Sequence, residues 1–274
     1  MYSGLLPKSL APVWKIVLLV SGLPAAFSTL AEAQTTVTSP SYSAASIVNA
    51  ATQTAGPLAP NTLATLYGSN LAFDTVAAST LVGGSLPVSL DGVTLSVGNI
   101  AAPLLFVSPG QINFIVPYNL IAEPTVNVYV ARQNIAGPVV AIQLNATAPG
   151  LFPWDGNQAI AIHLNGALIS PTAPAHAGEI VVIYADGLGR TSPDTSSGHI
   201  AGSAAAIMAA AQLQVLLNGT ACSAASVLYA GLAPGFAGLY QINLILPTPV
   251  PIDPMIQIAT SAGISLPQIQ LATQ

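Results

Sequence analysis

The stretch Gln111-Ile-Asn-Phe-Ile-Val-Pro117 decides the fold, because it returns later in the chain as Gln241-Ile-Asn-Leu-Ile-Leu-Pro247. Each copy is a short apolar run that ends in proline, which is typical of a β-strand closing where a missing N–H donor costs least. The two glutamines and the two prolines are each 130 residues apart. A repeat of this length predicts two similar units in tandem, made by an internal duplication.

The landmarks upstream of the two strings also recur in the same order. Residues 66–71 (LYGSNL) resemble residues 183–188 (IYADGL), with Gly68 matched to Gly187. The landmark spacing is larger in the second copy, which predicts about nine extra residues within 230–239 (AGLAPGFAGL), where a loop tolerates insertion. The two units are therefore predicted to be unequal copies.

Each unit has the size and the pattern of an immunoglobulin-like β-sandwich domain. Short runs rich in Val, Ile and Leu alternate with Gly, Pro and Asn, as in all-β folds. We predict domain 1 at residues 44–148 and domain 2 at residues 149–274. The predicted strands are residues 63–67, 93–97, 112–116, 126–130 and 139–144 in the first unit, and 160–164, 179–184, 213–217, 242–246 and 256–259 in the second.

Three local predictions concern turns and loops. Asn165-Gly166 separates two apolar runs, and Asn-Gly predicts a two-residue hairpin turn in which both residues adopt positive φ. In residues 204–217 the Ala-rich beginning is compatible with a helical turn, but we predict a loop there, followed by a strand that alternates from Gln212. Residues 34–43 are rich in Thr and Ser and are predicted to be a flexible leader.

The N-terminus has the form of a secretory signal. Lys8 and Lys15 precede an apolar run at residues 16–27, and small residues lead to Ala31-Glu32-Ala33, which has the A-x-A form of a cleavage site. An uncleaved anchor is the alternative, but a span needs about 20 apolar residues and Pro24 interrupts this run. We predict that residues 1–33 are a signal peptide and that the mature chain is secreted, periplasmic or at the cell surface, with no membrane span.

The charge of the mature chain restricts its partners. Without residues 1–33, Arg132 and Arg190 are the only cations beside eight carboxylates, so the net charge is −6. Nucleic acid needs a basic surface that neutralises phosphates. Nucleic acid is therefore excluded as a partner, and an anionic membrane surface is disfavoured.

Catalytic and metal-binding patterns are not indicated. His163, His176 and His199 lie 13 and 23 residues apart without an H-x-x-x-H pattern, so zinc is not predicted. The sequence has no G-x-S-x-G motif. Cys222 lies among small residues and is interpreted as a buried small side chain. We predict a noncatalytic protein without cofactor or metal, and a hydrolase is the least favoured alternative.

One calcium hypothesis stays open on the sequence. Asp186 and Asp194 lie in a segment with several hydroxyl side chains (DGLGRTSPDTSSG), and Ca²⁺ takes oxygen ligands. The spacing fits no EF-hand, and a turn rich in Asx residues accounts for the same pattern.

The predicted binding residues lie in the long loop of the second unit. Loops at the ends of sandwiches carry recognition, and aromatic side chains stack on sugars or peptides, which suggests Phe236, Leu239 and Tyr240 as binding residues. The alternative is that Phe236 and Tyr240 fold back and cap the core. The predicted function is an exported interaction or structural module for an unknown protein or glycan at the cell surface, with a carbohydrate-binding module as the alternative.

The repeated amides form a second candidate set. Gln111 and Asn113 lie two residues apart and share one face of a strand, as do Gln241 and Asn243. Their amides are suited to reading a sugar or a peptide. Because both copies carry them in the same place, we interpret them as a structural repeat motif that bonds nearby backbone groups.

Five segments carry a family resemblance: residues 59–71 (APNTLATLYGSNL), 102–114 (APLLFVSPGQINF), 148–152 (APGLF), 184–189 (YADGLG) and 229–243 (YAGLAPGFAGLYQIN). Together they resemble the uncharacterised Solibacter-type C-terminal domain family of soil bacteria, over essentially the whole mature chain. The resemblance implies an exported protein with no assigned activity. Within each unit the pattern Pro…Gly-x-Asn/Gly-Leu…Val-Pro is also similar to the IPT/TIG immunoglobulin-like domain, which bears on fold and not on function.

Overall fold

The computed structural model describes residues 38–79, 81–120 and 124–274, and the predicted signal peptide at residues 1–33 lies outside them. The described chain is all-β, as predicted. Its helical content there is limited to single turns of 3-10 helix at Ala44–Ser46, Ala210–Gln212 and Ala224–Ser226.

The first sandwich consists of two antiparallel sheets. One has the strand order β1-β2-β7-β6-β3 and the other the order β10-β8-β4-β5, with β9 paired to β8. The strands are β1 (Ile47–Asn49), β2 (Leu63–Tyr67), β3 (Val76–Ala77), β4 (Val93–Val97), β5 (Ile100–Ala101), β6 (Leu104–Ser108), β7 (Gln111–Ile115), β8 (Thr125–Arg132), β9 (Ile135–Ala136) and β10 (Val140–Gln143).

The second sandwich also has two sheets. One has the order β11-β15-β21-β20-β17-β16, with β14 paired to β15, and the other the order β12-β13-β24-β22-β18-β19, with β23 paired to β22. The strands are β11 (Gly150–Leu151), β12 (Pro153–Trp154), β13 (Gln158–Ala159), β14 (Ala161–His163), β15 (Ile180–Asp186), β16 (Thr191–Ser192), β17 (Ala205–Ile207), β18 (Gln214–Leu217), β19 (Thr220–Ala221), β20 (Val227–Leu232), β21 (Tyr240–Ile245), β22 (Met255–Thr260), β23 (Gly263–Ile264) and β24 (Ile269–Gln270).

Alternation along the strands separates core from outer face in each sandwich. In β7, Ile112 and Phe114 lie in the core between the first two sheets, whereas Ile115 faces outward. In β21, Ile242 and Leu244 belong in the same way to the second core. The repeated strings are thus the central strands that close each core, with successive side chains on opposite faces.

The strand register defines which residues of the two sandwiches correspond. Tyr67 lies opposite Gln111 between β2 and β7, and Tyr184 lies opposite Gln241 between β15 and β21. The glycine after the first of these tyrosines therefore corresponds to Ala185. The predicted match of Gly68 to Gly187 is therefore wrong by two positions, because the strand pairing cannot be read from the sequence.

All ten predicted strands are present, with ends that move by two residues at most. One loop prediction is wrong, and the Asn-Gly hairpin is present, since Ile162 bridges Leu168, but with a different turn geometry. Ala205–Ile207 is strand β17 rather than a loop, because it pairs with β20. At the predicted Asn-Gly turn only Gly166 has positive φ, and the side chain of Asn165 instead accepts the N–H of Ala167 at 2.9 Å.

The predicted leader is attached to the first sandwich from residue 38 onward. The hydroxyl of Tyr42 donates to the carbonyl of Pro138 at 2.6 Å and accepts the N–H of Val130 at 2.7 Å. The buried guanidinium of Arg132 donates to the carbonyl of Thr38. The prediction of a flexible segment is therefore wrong for residues 38–43, and residues 34–37 lie outside the described chain.

A third apolar cluster joins the two sandwiches, and we call it the junction cluster. The outward side chains of Leu63 and Ile115 meet side chains of the second sandwich, and Trp154 packs partly buried against them. The buried members are Ala51, Leu63, Ile115, Phe152, Ile160, Val182, Tyr184, Ala233, Ala237 and Leu239.

Candidate functional site

The predicted binding loop does not present its key side chains to solvent. Residues 233–239 connect β20 and β21, but Tyr240 is 0% exposed, Leu239 is 3% exposed and Phe236 is half-buried against the junction cluster. The burial of Tyr240 agrees with the alternative in which it folds back onto the core, and neither Leu239 nor Tyr240 is exposed to a ligand here. Their side chains face apolar partners whose positions the loop sequence alone does not reveal.

The loop is instead a contact between the sandwiches. Gly238 has φ +72, and a Cβ at this position would lie 3.2 Å from Leu63 and 3.1 Å from Ile115 of the first sandwich. The backbone closes on itself through the N–H of Ala233 and the carbonyl of Leu239 at 2.8 Å. We call residues 233–239 the junction loop.

Asp186 is a polar link across the same junction. Its Oδ1 accepts the N–H of Leu63 from the first sandwich at 3.0 Å and that of Gly187 at 2.7 Å. The side chain is fully buried, and Oδ2 has no hydrogen-bond partner among the described residues. Burial raises the pKa of the Asp186 carboxyl well above its usual range, although the two N–H donors oppose this shift.

The calcium hypothesis finds no assembled ligand set. Asp186 is turned toward backbone N–H groups in the junction, whereas Asp194 forms an ion pair with Arg190 at the surface. Within residues 38–79, 81–120 and 124–274, no three His, Cys, Asp or Glu side chains are grouped so that they would hold a metal ion.

Further hydrogen bonds hold the two sandwiches together. Thr147 and Thr260 share a hydrogen bond of 2.6 Å, and the N–H of Tyr118 donates to the hydroxyl of Ser197 at 2.6 Å. The N–H of Leu86 donates to the carbonyl of Gly198 at 2.9 Å. These contacts lie in different parts of the interface, so they constrain the relative orientation of the two sandwiches.

The repeated amides bond to each other within each copy. Gln111 Nε2 donates to Asn113 Oδ1 at 2.8 Å, and Gln241 Nε2 donates to Asn243 Oδ1 at 3.2 Å. In the first sandwich the hydroxyl of Thr65 also donates to Asn113 Oδ1, at 3.1 Å. The same bond is thus present in both copies, with one additional donor in the first.

A groove runs along the junction, and we call it the junction groove. It consists of three adjoining depressions of about 650, 250 and 300 Å³. The first and second share Asn145 and Thr147 in their walls, and the second and third share Thr52 and Leu266. Residues of both sandwiches therefore line one continuous surface.

The lining of the junction groove is apolar and almost without charge. Among the described residues Arg190 is the only charged side chain that lines it, and Arg190 is paired with Asp194. Met208, Ile264 and Leu266, at its walls, are 63%, 55% and 41% exposed. None of the described residues that line the three depressions is aromatic. Such a surface is suited to an uncharged ligand with apolar groups.

Among the described residues, two histidines each lie beside a side chain that a catalytic site could use. His163 Nδ1 contacts Glu179, but its Nε2 faces the carbonyl oxygen of Ala173 at 3.2 Å, where a nucleophile would have to lie. The Ser85 hydroxyl lies 3.2 Å from His199 Nδ1, and no carboxylate of the described chain bonds the other ring nitrogen. A triad needs an acid that orients the histidine and a nucleophile that it activates. Neither pair has both.

Cys222 is half-buried against the core of the second sandwich. Burial raises the pKa of its thiol, which disfavours the reactive thiolate form. Among the described residues no helix has both the length and the apolar character that crossing a membrane requires.

No protein-family model matches the sequence, and no curated protein matches it. Among solved structures, the chain is similar to the SGBP-B protein of the Bacteroides ovatus mixed-linkage glucan utilization locus, solved in complex with a mixed-linkage heptasaccharide. The identity is 12%, the TM-score is 0.31, and the match covers 80% of this chain and 42% of that one.

Two further structures are similar at the same level. The extracellular region of plexin A4 is 12% identical with a TM-score of 0.29, over 92% of this chain and 20% of that one. The titin domains z1z2 in complex with telethonin are 11% identical with a TM-score of 0.20, over 87% of this chain and 98% of that one. The chain thus spans less than half the length of the first two structures.

Proposed function

We propose that the chain is an exported, noncatalytic binding module and that the junction groove is its ligand site. The observation that carries this proposal is the continuity of the groove across two sandwiches that are held together. A binding surface whose walls are already positioned loses less freedom when a ligand binds. The Asp186–Leu63 bond and the junction loop supply that positioning.

The chemistry of the groove defines the class of ligand. A charged group placed in these depressions would lose hydration and gain no opposite charge, because Arg190 is already paired with Asp194. Amide and hydroxyl side chains such as Asn145, Thr52 and Gln268 are available as hydrogen-bonding partners. The ligand is therefore an uncharged molecule with both apolar and hydrogen-bonding groups.

The absence of catalysis is part of the proposal. It is supported by the two histidine pairs, neither of which has both an orienting acid and a nucleophile. Export is supported by the A-x-A site that precedes Gln34 and by the resemblance to the Solibacter-type family, whose members tend to be exported.

The carbohydrate-binding alternative loses the site that suggested it. Tyr240 is buried, and its hydroxyl donates to the carbonyl of Gly189 rather than to a ligand. Sugar-binding surfaces commonly stack the sugar on an aromatic ring, and the junction groove has none among its described lining residues. We therefore favour a ligand that needs no stacking platform.

The experiment uses the mature chain against two arrays, one of uncharged peptides and one of neutral oligosaccharides. The groove variants are Met208→Asp and Leu266→Asp, and the matched control is Ile252→Asp, at an exposed position outside the groove. We expect to find a ligand whose affinity falls about tenfold or more in at least one groove variant, because a charge in an apolar site is poorly solvated. The affinity of the same ligand for the control variant should be unchanged. If no ligand on either array responds in this way, the proposal is wrong.

A further inference from the structure

We infer that an extended, uncharged peptide segment of a partner protein occupies the middle of the junction groove, where it adds a strand to the exposed edge at residues 264–266. This inference rests on the proposed function and names the ligand class of the same site. It is carried by three features: the direction of the backbone groups at this edge, the opposite wall of the groove, and the side chains between them.

The edge at residues 264–266 is paired on one side only. Ile264 lies opposite Ala259 of β22, and the N–H of Ser265 donates to the carbonyl of Ile258 at 2.9 Å. Residues of an antiparallel pair alternate between bonding the partner strand and pointing away from it. Ile264 and Leu266 therefore direct their N–H and C=O groups away from β22.

Those outward groups are available to a ligand. No backbone hydrogen bond outside the strand pairs involves Leu266 among the described residues, and the alternation at Ser265 leaves the N–H and C=O of Ile264 unused by β22. Unpaired backbone groups at a sheet edge are a template for an added strand, and main-chain hydrogen bonds then supply affinity without a specific sequence. A sugar does not reproduce this regular alternation of donors and acceptors.

The opposite wall of the groove has a similar geometry. Ala55 bridges Val48, and the N–H of Asn49 donates to the carbonyl of Thr54 at 3.2 Å. By the same alternation, Ala55 directs its backbone groups away from β1. The depression of about 250 Å³ is lined by this wall on one side and by residues 263–266 on the other, so a peptide strand placed in it would meet outward backbone groups on both sides.

The side chains specify an uncharged peptide with apolar residues at alternate positions. Ile264 and Leu266 are exposed on one side of the edge, whereas Ser265 between them is buried. An added strand would place every second side chain beside these two residues. None of the described side chains that line this depression or the adjoining one of about 300 Å³ is charged, so a charged residue in the peptide would be buried without a partner.

The experiment measures the binding of a fluorescent peptide of about nine residues that alternates Val with Thr, by anisotropy against the mature chain. Ile264→Pro removes an N–H that no internal bond uses and closes the edge. Leu164→Pro is the matched control. Leu164 is exposed and is the second residue of a turn that starts at His163, a position that accepts proline. Leu266→Asp is a second variant that leaves the backbone donors intact, and melting temperatures establish that each variant is folded.

We expect Ile264→Pro, Leu266→Asp and N-methylation of alternate peptide amides each to weaken binding about tenfold or more, and Leu164→Pro to leave it unchanged. Unchanged affinity in folded Ile264→Pro overturns the inference. Groove-dependent binding of a neutral oligosaccharide without peptide binding overturns it and leaves the proposed function intact. Concentration-dependent dimerisation that Ile264→Pro abolishes also overturns it, because the edge then pairs with a second copy. Absence of any ligand on either array overturns both proposals.

Discussion

The two hairpins that carry the repeated strings differ in the segment that joins their strands. In the first sandwich only Pro109 and Gly110 connect β6 to β7, whereas in the second the junction loop, residues 233–239, connects β20 to β21. The short turn ends within its own sandwich, and the longer loop packs on Leu63 and Ile115 of the other sandwich. The additional residues of the second hairpin therefore form part of the contact between the two sandwiches.

A second pair of corresponding positions teaches the same lesson. Ser69 of the first sandwich and Asp186 of the second occupy equivalent places after their paired tyrosines. Ser69 exchanges backbone hydrogen bonds with Ser41, at 2.9 Å in each direction, and so holds the beginning of the described chain. Asp186 uses its side chain to hold Leu63 of the other sandwich. In the first sandwich this position therefore holds a segment of its own sandwich, whereas in the second sandwich it holds the other sandwich.

Removal of the Asp186 side chain is expected to have the largest effect. Asp186→Ala leaves the buried N–H groups of Leu63 and Gly187 without an acceptor, and each such loss costs about 1–3 kcal/mol. We expect the free energy of unfolding in urea to fall by about 3–5 kcal/mol in total. Ser69→Ala, at the equivalent position, is the control and should cost less than about 1 kcal/mol. Equal losses would contradict the comparison.

The pH dependence of stability tests the protonation of Asp186. Because burial raises the pKa of this carboxyl, the folded chain binds more protons than the unfolded chain at pH values above the usual Asp pKa of about 4. Stability therefore falls as pH rises from about 4 toward the raised folded pKa, by at most about 1.4 kcal/mol per pH unit.

The variant Asp186→Asn does not titrate and should lack this slope. We expect the difference in unfolding free energy between Asp186→Asn and the wild type to change in favour of the variant between pH 4 and pH 7, measured by urea denaturation. A difference that is constant over this range would mean that the carboxyl is ionised in the folded chain.

Two glycines of the junction loop separate backbone strain from contact with the other sandwich. Gly235 and Gly238 both have positive φ, but a Cβ at Gly235 would meet nothing within 4 Å, whereas one at Gly238 would meet Leu63 and Ile115. We expect Gly235→Ala to cost about 1 kcal/mol and Gly238→Ala about 2–4 kcal/mol, since overpacking adds to the strain. Thermal melts measure both, and equal costs would show that the loop does not contact the first sandwich.

The repeated asparagines are expected to give the smallest difference. Asn113 accepts from Thr65 and Gln111, whereas Asn243 accepts from Gln241 by the longer bond. Asn113→Ala should lower the free energy of unfolding by about 1–2 kcal/mol and Asn243→Ala by about 0.5–1 kcal/mol. A larger loss at Asn243 than at Asn113, measured in the same urea titration, would reverse this order and contradict the assignment of the additional donor.

The sequence predicts the central strands well, because apolar residues alternate strongly there and proline or glycine ends each run. It does not predict Ala205–Ile207, which begins with two alanines of low β-propensity and is a strand because it pairs with β20. It also misplaces residues 38–43, because the attachment of Tyr42 depends on Val130 and Pro138, about 90 residues away in the chain.

The candidate site is predicted less well, for a related reason. The sequence leaves open whether the Ala-Pro-Gly-Phe loop presents its side chains to a ligand or folds back, and its burial depends on two outward side chains of another unit, Leu63 and Ile115. The junction groove is lined by residues near 52–57, 145–149 and 262–266, which lie far apart in the sequence. A signal for it does exist, since Ile264 and Leu266 are apolar residues that alternate across the buried Ser265 at a sheet edge.

Hydrogen exchange of the Leu63 amide tests most directly whether the two sandwiches form one body. This N–H donates to Asp186 across the junction, so it is released only when the sandwiches separate or unfold. The account predicts that in the mature chain it exchanges with the same opening free energy as the amide of Ile242 in the second core. Fast exchange of the Leu63 amide, while the amides of both cores stay protected, would mean that the folded sandwiches come apart and would contradict the account.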